Sequence, residues 1–232
     1  MKPIIGIVAR PGKIFSTIDT VVTEETNRNM ILRFGGVPIM IMPPQQISYD
    51  SIKPRDVKPL TDDEKNILVD ELMLCDGILM PGGLKSYSYD YFIDDYAREN
   101  NIPILGECLG MQIMARNHNG AKIIKNDSTI KHYNKESKLA HNVIFVDDSK
   151  ILQIVGKKEI KVNSFHNYHA SDVKNMKVSA YCDDGIVEAV EDPTKLFRIG
   201  VQWHPEVLND EPNQALCESF INAAQGYSYI KK

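Results

Sequence analysis

The chain has 232 residues, 43% of them hydrophobic, enough for one large domain with its own core and no need of disulfides. Its 31 acidic against 27 basic residues leave a formal charge of −4, and with no arginine-rich block this excludes a nucleic-acid footprint. No apolar run approaches the ~20 residues needed to span a bilayer. Four cysteines without a CxxC pairing, and a strand-like start with no signal-like segment before it, point to a reduced, cytoplasmic compartment.

In chain order, short apolar runs of strand length fall at residues 4–8, 37–42, 77–80 and 102–105. Helical patterns accompany them at 21–34, 62–74, 90–100 and 109–118. Strand–helix alternation with buried strands predicts an α/β fold, a mostly parallel open sheet flanked by helices. After Ala121 the pattern changes to extra β segments at 121–125, 142–146, 151–155, 159–162, 176–181, 186–190 and 197–203. A helix over 212–224 closes the chain, with Glu211 and Pro212 near its start. The polar stretch 45–59, with its prolines, reads as a mobile insertion. No repeat or low-complexity linker divides residues 1–232, which read as a single domain.

The chemistry concentrates at Gly106-Glu107-Cys108-Leu109-Gly110. A short strand enters this segment and a helix leaves it, so Cys108 sits at a tight strand-to-helix turn whose flanking glycines permit close backbone approach. A thiol at a helix N-terminus feels the positive end of the dipole, which favours the thiolate. The free amide of Leu109 points into the same space, where a developing oxyanion needs a donor. Later in the chain, His204 and Glu206 project from one side of the end of an apolar strand. There a carboxylate can fix the imidazole tautomer while the other ring nitrogen faces a thiol, and Pro205 stiffens the spacing. Cys108, His204 and Glu206 thus supply a nucleophile, a base and a group that orients the base. Cys75, Cys182 and Cys217 lie in ordinary surroundings and read as small buried hydrophobes.

Other chemistries fit less well. Gly6 to Lys13 lacks both the glycine spacing of a phosphate loop and the Ser or Thr after its lysine, since Ile14 stands there. His166-Asn167-Tyr168-His169 reads as a loop without cysteine or acidic partners at regular spacing, so no metal and no cofactor is expected. The aromatic residues Tyr87, Tyr89, Tyr91, Phe92 and Tyr96 read as packing, with a place at the substrate entrance as the alternative.

The order of the short blocks carries a resemblance. Lys2-Pro3-Ile4-Ile5-Gly6-Ile7, Gly77-Ile78-Leu79-Met80-Pro81-Gly82-Gly83, the elbow with Gln112, Asn163-Ser164-Phe165-His166 and Gly200-Val201-Gln202-Trp203-His204-Pro205-Glu206 together resemble a class I glutamine amidotransferase domain. Within that group the chain is most similar to the γ-glutamyl hydrolase branch that includes γ-glutamyl-γ-aminobutyrate hydrolases, peptidase family C26. The resemblance implies a flavodoxin-like sheet, with Cys108 as nucleophile, His204 as general base and then acid, and Glu206 as its orienter. It further implies an oxyanion hole from the amides of Gly83 and Leu109, and a γ-glutamyl pocket bordered by Gly82, Gln112, Ser164, Phe165 and His166. A glycine pair after a strand suits that role, because an amide is presented with no side chain in the way.

Three positions depart from the branch. Leu109 stands where its hydrolases often carry Arg and where synthetase-linked amidotransferases are usually apolar. Glu107 stands at a usually apolar site, and a carboxylate there opposes thiolate formation unless it points away or is paired. Leu84-Lys85-Ser86-Tyr87-Ser88-Tyr89 replaces an acidic, proline-containing loop. The leading reading is therefore cysteine-dependent hydrolysis of a small γ-glutamyl amide. The alternatives are a glutaminase component delivering ammonia to a synthetase partner, and a non-enzymatic binding or regulatory protein on the same scaffold. A homodimer stays open.

Overall fold

The apolar runs form strands because each can bury both faces. In the strand Gly77–Met80, Ile78 and Met80 point into one apolar layer and Leu79 into the other, and all are fully buried. The computed structural model describes residues 1–15, 17–45, 58–135 and 138–231. In chain order the elements are β1 (Ile4–Val8), β2 (Arg10–Ile14), β3 (Ile18–Val22), α1 (Glu25–Arg33), β4 (Val37–Ile41), α2 (Asp62–Leu74), β5 (Gly77–Met80), α3 (Ser88–Glu99), β6 (Ile104–Glu107) and α4 (Leu109–Arg116). The second half adds β7 (Lys122–Lys125), β8 (His141–Phe145), α5 (Lys150–Val155), β9 (Glu159–Val162), β10 (Tyr168–Ser171), β11 (Lys177–Cys182), β12 (Val187–Glu191), β13 (Arg198–Val201) and α6 (Glu211–Ile230).

A nine-stranded sheet runs in the order β4-β1-β5-β6-β13-β12-β11-β8-β9. From β4 to β13 neighbours pair in parallel; from β13 to β9 they pair antiparallel. Among the described residues only β12 and β8 run against the rest, so the sheet is mostly parallel, as expected from the alternation. Residues of α1, α5 and α6 pack on one face with Ile5, Leu79 and Leu105; residues of α2, α3 and α4 pack on the other with Val8, Ile78 and Ile104. Trp203 is fully buried in the first layer, edge-on to Phe145 at 6.2 Å, and its indole N–H donates to Asn213 Oδ1 at 2.8 Å. Of two smaller sheets, β2-β3 follows directly on β1 and β7-β10 packs on α4.

Several expected boundaries need correction. Residues 151–155 are not a strand but most of α5. Its composition suits either state, and the local caps decide: the Ser149 hydroxyl accepts from the Leu152 amide at 3.2 Å, and Gly156 ends the helix in the left-handed region at φ 68°. Val21 and Val22 belong to a hairpin with β2, so the first helix starts only at Glu25. Tyr168 and His169, read as loop, open β10 and pair with β7. The expected insertion at 45–59 falls largely outside the described residues. No helix among the described residues is long and apolar enough to cross a membrane.

Candidate active site

β6 and β13 lie side by side, with Glu107 paired to Val201, and so deliver their two functional segments to the same edge of the sheet. Cys108 follows β6 with φ 50° and ψ −103°, a backbone conformation that a side chain rarely adopts. Its neighbours hold it there: the Cys108 amide donates to the Val201 carbonyl at 2.8 Å, and its own carbonyl accepts from the Gln112 amide at 3.1 Å. The turn also needs both glycines. A Cβ on Gly110 would sit 2.0 Å from the Met80 carbonyl oxygen, and one on Gly106 2.8 Å from the Gly110 carbonyl carbon. Leu109 is the first residue of α4, so its amide is among the helix-start donors with no partner inside the helix.

His204 reaches the same space from the end of β13. Its Nδ1 donates to Glu206 Oε1 at 2.8 Å, and the Glu206 side chain is 1% exposed. Burial opposes the charged imidazolium, but Glu206 and the Cys108 side chain outweigh it and hold His204 well above the ordinary histidine range. Asn163, at the end of β9, clamps the histidine backbone on both sides: its Oδ1 accepts from the His204 amide and its Nδ2 donates to the His204 carbonyl, both at 2.8 Å. Phe165 lies against the imidazole with ring centroids 5.6 Å apart.

Gly82 and Gly83 run beside the nucleophile. A Cβ on Gly82 would meet His204 Cε1 at 2.8 Å, and one on Gly83 would meet Leu109 Cδ2 at 2.9 Å. Arg10 supports this strap from beneath, donating through Nε to the Gly82 carbonyl at 3.2 Å and through Nη2 to the Pro81 carbonyl at 2.9 Å. Its Nη1 pairs with Asp90, which also accepts from the Tyr87 amide at 2.8 Å. Clefts of about 310 and 330 Å³ flank the strap. The first is walled by Arg10, Lys13, Glu24 and Tyr87, the second by Leu109, Gln112, Arg116 and Tyr168.

The expected site residues therefore divide. Cys108, His204, Glu206, Gly82, Gly83 and Leu109 converge at the sheet edge, with the Phe165 ring packed on His204. Gln112 lines the second cleft, with its amide nitrogen donating to the Tyr168 carbonyl at 2.8 Å and to Gln202 Oε1 at 3.1 Å. The Ser164 hydroxyl donates into the interior, to the His132 carbonyl at 2.6 Å, and the His166 ring is buried against His132. Neither lines either cleft. Arg10 and Asp90 were missed by the sequence reading, since partners some 72 to 80 residues apart leave no local signal. Asn163 stood inside a quoted motif, yet its clamp on His204 is visible only in three dimensions.

Glu107 is fully buried beneath Glu206. Burial first, and then the Glu206 carboxylate, push its carboxyl well above the ordinary carboxylate range, which favours the neutral form. Burial pushes the Cys75 thiol up to about 12 and the Cys217 thiol well above its usual range, whereas His132 and His141 outweigh burial at Cys182 and hold that thiol below its usual range.

The Peptidase C26 family model matches residues 87–206, a span that contains Cys108, His204 and Glu206. A glutamine amidotransferase-like protein of Rickettsia prowazekii is 25% identical, the match covering 90% of this chain and 92% of that protein. CTP synthase of Rickettsia bellii is 32% identical over 68% of this chain and 37% of its own length, so this chain spans little more than a third of that enzyme. Among solved structures, the glutaminase domain of Trypanosoma brucei CTP synthase with bound acivicin superposes with a TM-score of 0.63 at 21% identity, over 97% of this chain and 94% of that one.

Proposed function

This chain belongs to the peptidase C26 family, a class I glutamine amidotransferase-like hydrolase, and from that premise we propose that it hydrolyses a γ-glutamyl amide through a thioester on Cys108. The observation that carries the reading is the convergence of a strained Cys108 with the His204–Glu206 pair at the ends of two adjacent strands. The thiolate of Cys108 attacks the side-chain carbonyl of the γ-glutamyl group, with the resulting oxyanion held by the amides of Gly83 and Leu109. His204, charged after taking the thiol proton, passes that proton to the leaving nitrogen as the C–N bond breaks. Water then adds to the thioester with His204 as base, and glutamate leaves as the C–S bond breaks and the thiol is restored. Glu206 keeps the proton of Nδ1 in place throughout, so that Nε2 alone exchanges protons.

Gly82 belongs to this site because it leaves room for His204, and Gln112 because it walls the cleft beside Leu109. Lys85 and Arg116 in the same cleft offer positive charge to the substrate carboxylate. Ser164 and His166 act from behind, holding the loop that carries Phe165 and Asn163.

A second reading, a glutaminase that hands ammonia to a separate synthetase, draws on the CTP synthase likeness and on Leu84. That side chain is 98% exposed at the rim of both clefts, where a partner surface would cover it. The test is turnover of glutamine and of a panel of γ-glutamyl amines by the purified chain alone, read as glutamate release. Turnover of an amine conjugate without a partner supports the first reading; activity on glutamine only after a synthetase is added supports the second. No release by wild-type chain under either condition sinks both.

A further inference from the structure

Behind the Phe165 loop four side chains from distant parts of the sequence meet in the interior. His132 lies between β7 and β8, His141 opens β8, His166 follows β9, and Glu188 stands in β12. Their exposures are 3, 5, 4 and 0%. His132 Nδ1 is 3.3 Å from His166 Nε2 and 3.4 Å from Glu188 Oε1, while Glu188 Oε1 is 3.6 Å from His166 Nε2 and 3.7 Å from His141 Nε2. Four donors at about 2.0–2.2 Å from a tetrahedral centre would stand roughly 3.3–3.6 Å from one another. These separations approach that edge length, and all four ligand atoms lie within 4.8 Å of one another.

In neutral imidazoles the outer hydrogen bonds leave the inner nitrogens without protons of their own. His132 Nε2 lies 2.8 Å from Asp184 Oδ2, His166 Nδ1 3.0 Å from the Tyr168 carbonyl, and His141 Nδ1 3.1 Å from the Asn142 carbonyl. Those oxygens only accept, so an imidazole that carries a single proton directs it outward and its lone pair inward. Three lone pairs and a carboxylate then face one another in a dry interior, which is unfavourable unless a metal ion or shared protons lie between them. Neither oxygen of Glu188 nor Nε2 of His141 has a hydrogen-bond partner. The pattern of three histidines, each with its second nitrogen held by a carbonyl or carboxylate, is that of a metal site with its supporting shell in place.

We propose that His132, His141, His166 and Glu188 form a structural zinc site. Nitrogen donors, one carboxylate and a tetrahedral arrangement suit Zn²⁺ better than the oxygen-rich, higher-coordinate sites of Mg²⁺ or Ca²⁺. Four protein ligands close the coordination sphere, so the ion's task is to fix structure and not to activate water. It would tie the segment around His132 to β8 and β12. The His132 carbonyl accepts from the His166 amide at 2.9 Å and from the Ser164 hydroxyl at 2.6 Å, and Asn163 next in line clamps His204. The ion thereby sets the backbone that positions the catalytic histidine. The sequence reading saw only His166 and His169 in this region and lacked the other three partners; His169 turns away, to Asn126.

The full chain, expressed in zinc-supplemented medium and gel-filtered, tests this by elemental analysis. One zinc per chain is expected. Stripping it with a chelator should lower the thermal midpoint by roughly 5 °C or more, restored by added zinc. Cobalt exchanged into the wild-type chain should give the intense visible bands of a tetrahedral centre, a readout independent of any variant's folding. Glu188→Gln and His141→Ala should each lose the metal. A wild-type chain holding less than a tenth of an equivalent of zinc, with a midpoint indifferent to zinc and chelator, would mean that shared protons bridge the cluster and would overturn the proposal. So would one equivalent of zinc retained by both folded variants.

Discussion

In the parallel half of the sheet, β4 to β13, the groups proposed to carry chemistry stand just beyond the strand ends, on a strained turn at Cys108 flanked by glycines and on a glycine strap bonded by Arg10. In the antiparallel half, β12 to β9, the polar groups point inward instead, and His141, His166 and Glu188 are buried around a common centre with His132. Ends of parallel strands present main-chain donors and a helix N-terminus to an open cleft, which suits a reacting carbonyl. A closed, proton-poor interior suits a group that must stay in place. Asn163 joins the two halves, because it follows directly on β9 and grips the His204 backbone.

If the division is right, the largest effects on turnover come from the edge of the parallel half. Cys108→Ala should reduce γ-glutamyl hydrolysis by about 10⁴-fold or more while leaving the thermal midpoint near that of wild type, measured as glutamate release and by calorimetry. Glu206→Gln should lower kcat by roughly 10²–10⁴-fold, since the amide no longer fixes the tautomer or supports the imidazolium. The sign of its pH effect also follows. Glu206 raises His204, so removing its charge moves the loss of imidazolium, and with it the alkaline limb of kcat/KM, to lower pH.

Stability sharpens the contrast further. Gly110→Ala forces a Cβ onto the Met80 carbonyl and should cost about 3 kcal/mol or more by denaturant titration. Gly185→Ala, in the turn between β11 and β12, has φ 82° with open space around it and should cost only about 1 kcal/mol of backbone strain. Equal costs would mean that the elbow is no more constrained than an ordinary hairpin turn.

The smallest effect concerns Glu107. Its folded carboxyl binds a proton more tightly than the unfolded one, so the chain loses stability as pH rises from about 4.5 toward the folded value. Glu107→Gln mimics the neutral form and removes that loss. The variant should match wild type near pH 4 and exceed it at neutral pH by a gain on the order of 1 kcal/mol, a midpoint rise of roughly 2–4 °C. A variant less stable than wild type at neutral pH would show that Glu107 is charged there.

The parallel half was legible in the sequence because its signals are local. Strands such as Ile4–Val8 and Gly77–Met80 are unbroken apolar runs, and the elbow and the His204–Glu206 pair each fit within a few residues. What failed was non-local or balanced between alternatives. Residues 151–155 are as apolar as a strand, and a serine cap and a left-handed glycine turned them into a helix. Arg10 lies in a hairpin that shares residues with a plausible helix start, and its partners come from elsewhere in the chain. The histidine cluster has no spacing that a motif could capture, because four separate segments supply it.

Cys108 alone among the four cysteines is proposed as the acyl-transfer nucleophile. Labelling the native chain with acivicin, followed by peptide mass spectrometry, tests it most directly. One label per chain on Cys108 is expected, protected by γ-glutamyl substrate and lost in Cys108→Ala, with Cys75, Cys182 and Cys217 untouched. Label on any of those three instead, or full hydrolysis by Cys108→Ala, would contradict it.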